Sequence, residues 1–175
     1  MRMFATIFLC LMLAAPIAAQ KQKREPLTEV ETDKIAEAGI DPNARVGLYM
    51  QFLNERADAI KKLAGRAHSD ARAYRMSDAL QDFSALEDEL DDNLDVFADR
   101  KADIRESLKK LNEAVARWQS MLHALASEPG FELEQKEAIA SGEDLATQAS
   151  DLLKTQTEYF KQHPDEAGQD RWEPR

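Results

Sequence analysis

A chain of 175 residues with 33 acidic and 23 basic side chains carries a formal charge of −10. That balance excludes nucleic acid and anionic lipid as partners, because both are held by net basic surface. A single cysteine excludes a disulfide framework, so the fold must rest on packing.

The chain opens MRMFATIFLCLMLAAPIAAQ. Arg2 supplies a positive start, Phe4 to Leu13 an apolar run broken only by Thr6, and Ala14 to Ala19 a small-residue segment, the layout of a secretory signal peptide. Residues 1–19 are therefore read as a leader cleaved after Ala19, and an uncleaved anchor is the alternative. Cys10 lies inside the leader and follows Leu9, which does not suit a lipoprotein signal, so the mature chain has no thiol. We expect an exported protein, periplasmic or secreted, without a membrane span after cleavage.

Residues 20–27, QKQKREPL, read as a disordered spacer. Thr28 with Glu31 three residues on forms the capping-box pattern of a short helix. That helix should end at Gly39, with Ile40 folding back on Ile35 in a Schellman ending. Asp41-Pro42 restarts the chain as an N-cap followed by a proline at the first helical position. The next helix runs to about Leu63 or Arg66 on a stripe of Val46, Tyr49, Leu53, Ala57, Ile60 and Ala64. Gly47 inside it suggests a close helix contact.

From Met76, steps of four and three meet Leu80, Phe83, Glu87, Leu90, Leu94, Phe97, Lys101, Ile104, Leu108, Leu111, Val115, Trp118, Leu122 and Leu125. Only Glu87 and Lys101 interrupt an apolar seam at heptad spacing, the signature of helix packed on helix. No Gly or Pro occurs between Arg66 and Glu128. A turn near Asp99–Lys101 would give two antiparallel helices. An unbroken helix over about 70–126 would span about 85 Å. The unbroken phase favours the single long helix, with a kink near Lys101 as its variant.

Ser127 to Gly130 stops that helix, and a last helix should run from Leu133 to Gln162, with a break at Gly142 as an open alternative. Its stripe holds Gly142, Leu145, Ala149, Leu152 and Gln156. Residues 164–175 read as a flexible tail. The flanking helices then fold back on the two halves of the central one, placing Trp118 opposite Gly142 and Arg45 near Asp91 and Asp92. The domain is 28–163 and the class is all-α, a bundle of long antiparallel helices. A seam this long could also pair with a second copy.

The stretch EDELDDNLD holds six carboxylates between Glu87 and Asp95. Asp88, Asp92, Asp95 and Asp99 form one helical column with Asp91 beside it, and like charges at such spacings cost a few tenths of a kcal/mol per pair. Three readings follow. The column is a solvated face offset by Arg45 and the basic run Arg100, Lys101, Arg105, Lys109 and Lys110. Alternatively it is a surface for docking a partner. As a cation site it lacks the glycine-bearing irregular loop that calcium uses. His68-Ser69-Asp70 suits a turn with a helix cap, since adjacent residues cannot build a triad. His123 reads as a seam-edge residue and His163 as a helix terminus. Met50 or Met121 with His163 could be imagined as haem ligands, but no haem-attachment motif is present.

DPNARVGLYMQFLNER, with DELDDN and RESLKKLNEAVARW after it, resembles exported bacterial all-helical proteins of unknown function. The matching pattern is the Asp-Pro helix start with Arg45, Tyr49, Phe52 and Arg56, within a likeness covering most of 41–126. The resemblance implies an exported helical protein and no activity, catalytic residue or cofactor. The expectation is an interaction or scaffold protein without catalysis, meeting a protein partner in the cell envelope. An ATP-independent periplasmic chaperone or stress protein is the alternative, and a haem or metal carrier a remote one.

Overall fold

The computed structural model describes residues 24–168. The leader reading and the last seven residues of the tail lie outside them. Five helices follow in order: α1, Glu29–Glu37; α2, Pro42–Ala64; α3, Asp70–Asp99; α4, Arg105–Ala124; and α5, Glu132–Gln162, with a short 3-10 turn at Pro164–Glu166. No strand occurs among the described residues.

The helix starts follow local chemistry. Thr28 and Glu31 cap α1 reciprocally. The Asp41 carboxylate accepts from the Asn43 and Ala44 amides ahead of Pro42. The Ser69 hydroxyl accepts from Arg72 N, which caps α3 and explains His68-Ser69-Asp70. Gly39 ends α1 with φ 64°. Ile40 does not fold back on Ile35, however; it is 57% exposed.

The expected single helix over 70–126 is two helices. Lys101 takes φ 55°, a conformation that costs a side chain with a Cβ. Lys101 N donates to Ala98 O at 2.9 Å and Ala102 N to Phe97 O at 3.1 Å, the paired bonds of a Schellman ending. Phe97 and Ala102 are both buried, which supplies the hydrophobic contact of that motif. The seam nevertheless keeps its inward face on both sides of the break: Leu94 and Phe97 before it, Ile104 and Leu108 after it are at most 1% exposed. An unshifted apolar phase therefore did not mean an unbroken helix.

α2 to α5 form a four-helix bundle with α1 laid against α2. Side-chain contacts give the directions. Gln81–Glu134, Asp88–Ser141 and Asp95–Gln148 all keep a separation of 53, so α3 and α5 run parallel. Asn43–Ser107 and Asn54–Trp118 keep a separation of 64, so α2 and α4 run parallel. Arg45–Asn93 and Tyr49–Glu89 make α2 and α3 antiparallel. Asn112–Ser150 and Gln119–Ile139 do the same for α4 and α5. α3 and α4, although consecutive, make no backbone approach and sit across a diagonal. They meet through side chains, as where the Phe83 and Trp118 rings stand edge to face at 5.9 Å.

α2 and α5 each cover both α3 and α4, rather than one half of a central rod. The seam is consumed inside one chain: Phe83, Leu90, Ile104 and Trp118 are at most 3% exposed. It does not remain open for a second copy. Full burial of such side chains contributes about 1.5–3 kcal/mol each. Two sequence expectations about glycines also change. Gly142 lies within an unbroken α5 and opposes Glu87 and Gln119, not Trp118. Gly47 makes no close contact, since a Cβ there would meet nothing within 4 Å. Gly47→Ala should therefore stabilise the bundle by about 0.5–1 kcal/mol through helix propensity. A urea midpoint that stays put or falls would refute this.

Both ends of the described chain are tied down. The Arg24 guanidinium pairs with Asp78 and Asp82, and Pro26 O accepts from Arg56 Nη2 at 3.0 Å. Residues 24–27 are thus not spacer. Tyr159 donates to Glu166 at 2.5 Å, and Gly168 N donates to Asp103 at 2.9 Å, so the tail starts as an anchored turn.

Candidate functional site

Leu90 and Leu94 drive one side of α3 into the core and leave its carboxylates outside. Asp88, Asp92, Asp95 and Asp99 are exposed and Asp91 is half-buried. α5 lies alongside and touches the row with uncharged groups. The Ser141 hydroxyl donates to Asp88 at 2.5 Å and the Gln148 amide donates to Asp95 at 2.7 Å. α5 also adds Asp144 to the same field. Asp91 has a buried oxygen without a hydrogen-bond partner. Burial, then the charges of Asp95, Asp92, Asp144 and Asp88, push its carboxyl up to about 6.

Four of the six cations expected to offset this row are engaged elsewhere. Arg45 reaches Asn93 at 3.5 Å and lies 5.9 Å from the Phe97 ring centre, not beside Asp91 and Asp92. Arg105 holds Asp103, Lys109 holds Glu106, and Lys101 stands over the Tyr159 ring. Among the described residues no ion pair reaches Asp88, Asp91, Asp92, Asp95 or Asp99. Such neutralisation does occur about two to three turns earlier on the same helix, where Arg24 meets Asp78 and Asp82.

Between α3 and α5 runs a cleft of about 510 Å³. It is lined by the small residues Ser84, Ala85 and Ala140, by Asp88, Asp92 and Asp144, and by Arg24. Comparison with known proteins found no matching family model, curated protein or solved structure. The site is thus read from its own geometry.

Among the described residues no group of three or more His, Cys, Asp or Glu side chains is placed to hold a metal ion. Nor is any helix there long and apolar enough to cross a membrane. His68 lies by Glu128 at 3.2 Å, and Arg72 holds the same carboxylate, pulling it below its ordinary range. His163 stacks on Tyr159 with ring centres 4.4 Å apart. Because α4 and α5 are antiparallel, Met121 and His163 fall at opposite ends of the bundle.

The four residues of the resemblance pattern have structural places. Arg45 covers Phe97, Tyr49 donates to Glu89 at 3.4 Å, Phe52 is in the core, and Arg56 clamps Glu31. Sequence reasoning missed the α5 contribution to the acidic cleft and the full burial of Glu87. The polar letter at a seam position was the available signal for the second.

Proposed function

We propose that this is an exported, non-enzymatic interaction protein that receives a cationic segment of a partner protein along the acidic α3–α5 cleft. The observation that carries the reading is the row of five aspartates on α3 that no ion pair among the described residues reaches, while Asp78 and Asp82 on the same helix hold Arg24. Their repulsion is relieved by positive charge arriving from outside, and complementary charge of this kind sets encounter rate and specificity. The small lining residues Ser84, Ala85 and Ala140 leave room for a side-chain stem whose charged head meets the aspartates. The leader-like start of the sequence supports the cell envelope as the place where the partner is met. The chaperone alternative has less to draw on, since the exposed large apolar side chains Val30, Ile40, Tyr74, Val96 and Leu133 are scattered over the chain.

Affinity capture from envelope extract, comparing the wild type with the triple variant Asp88→Asn, Asp92→Asn, Asp95→Asn, tests this. A protein held by the wild type in low salt, released by salt and lost with the variant is the expected result. Equal capture by both, or capture insensitive to salt, removes the proposal.

A further inference from the structure

Glu87 occupies a seam position, and its residue is 0% exposed. Neither carboxyl oxygen has a hydrogen-bond partner. It lies where three helices converge. A Cβ built on Gly142 of α5 would come 2.8 Å from Glu87 Oε1 and 1.9 Å from Gln119 Nε2 of α4. The glycine gap is therefore filled by the polar ends of two side chains. Gln119 Nε2 donates to Ile139 O at 3.0 Å, and Gln119 Oε1 has no partner.

Counting donors settles the charge state. An ionised Glu87 accepts only, so the junction would hold three buried oxygens without a donor. A proton on Glu87 turns it into a donor, in a junction where Gln119 Oε1 is a buried acceptor without a partner. Among the described residues no cation answers a carboxylate here. Gln119 on α4 and Gly142 on α5 do not titrate, and the one charge that acts on Glu87 is Asp88 on its own helix, which is negative. A buried carboxylate without a counter-charge neutralises rather than bear the desolvation cost.

We propose that Glu87 is a proton-operated latch that holds α3, α4 and α5 together in its neutral form and loosens their junction when it ionises. Burial, with Asp88 adding to it, holds the Glu87 carboxyl well above its ordinary range. The folded chain then keeps a proton that the unfolded chain has released. The stability this proton confers is complete below the ordinary carboxylate range and is lost as pH rises through the folded-state value. Asp91, pushed up to about 6, acts in the same direction, its own contribution being lost as pH rises through that value. The latch stands on packing alone and does not depend on what binds the acidic cleft.

Urea unfolding of the wild type, Glu87→Gln and Asp91→Asn from pH 4.5 to 9 tests the latch. Glutamine keeps a donor at all pH values. The wild-type folding constant should fall by up to about tenfold per pH unit for each of the two carboxyls still holding its proton, the slope of one proton apiece. Asp91→Asn should retain the fall at its upper end, and Glu87→Gln should abolish it there. Carbon-13 titration of the wild-type side-chain carboxyls is the second measurement, in which Glu87 should respond well after the exposed glutamates. A Glu87 signal that titrates with those glutamates overturns the proposal, as does a Glu87→Gln variant with the wild-type slope.

Discussion

Gln156→Leu should destabilise the bundle by roughly 2–6 kcal/mol, although leucine is the better residue for an apolar stripe. The Gln156 amide nitrogen donates to Ala102 O at 2.8 Å, and its oxygen accepts from Ile104 N at 3.1 Å. Those two backbone groups belong to the five-residue link that carries the chain from α3 across the diagonal to α4. Ala102 is 1% exposed and Ile104 0%, so water cannot replace the lost side chain. Each buried backbone group left alone costs about 1–3 kcal/mol, which gives the range above. Gln156→Glu separates hydrogen bonding from size. An ionised glutamate still accepts from Ile104 but cannot donate to Ala102, so this variant should fall between the other two and recover at low pH. Urea unfolding checks all three chains. A leucine variant as stable as the wild type would mean that the link does not need α5.

Gln135 does the corresponding work at the other end of α4, donating to Leu122 O at 2.9 Å and Leu125 O at 3.2 Å. Two buried glutamines of α5 therefore bracket α4. This arrangement shows why the α3–α4 break was hidden in the sequence. Seam periodicity reports which face is buried, and it reported that correctly from Met76 to Phe97 and from Ile104 to Leu122, with Lys101 exposed between them. Continuity of the backbone is a separate property. A turn usually declares itself through Gly, Asn or Pro, but here Lys101 takes the left-handed conformation and the groups that satisfy the link come from a residue more than 50 positions away. Local features such as the Thr28 box, the Asp41-Pro42 start, the Ser69 cap and the Gly39 ending were legible because their partners lie within four residues.

The acidic face was legible in part for the same reason. Heptad spacing alone puts Asp88, Asp92, Asp95 and Asp99 outside. Which helix faces them depends on the order of helices around the bundle, and the diagonal connection brings α5 rather than a basic segment. Ser141, Asp144 and Gln148 were therefore invisible as neighbours, and Arg45 was placed about half a turn from its actual contact.

Arg56→Met should release α1 from the bundle while leaving α3 and α5 in place. The Arg56 guanidinium holds Glu31 through two bonds, at 2.7 and 2.9 Å, and also donates to Pro26 O at 3.0 Å. Glu31 accepts in addition from the Thr28 amide at 2.8 Å. This fork, first among the causes, draws the Glu31 carboxyl down to about 2. Removing the arginine leaves a largely buried carboxylate facing only the Thr28 cap, and breaking one partner of a buried pair costs about 3–5 kcal/mol. α1 packs on α2 alone, so the loss falls on α1 first. Amide exchange in α1 should speed by about two to three and a half orders of magnitude, each factor of ten being about 1.4 kcal/mol, with little change in the core of α3. The pH signature is opposite to that of Glu87. A lowered folded-state value contributes stability above the ordinary carboxylate range, and that stability is lost as pH falls toward about 2. α1 of the wild type should therefore undock on acidification, whereas in Arg56→Met its exchange should already be fast at neutral pH and should respond little to acid. Protection of α1 that survives the substitution would show that Ile35 and the Thr28 cap hold the helix without the ion pair.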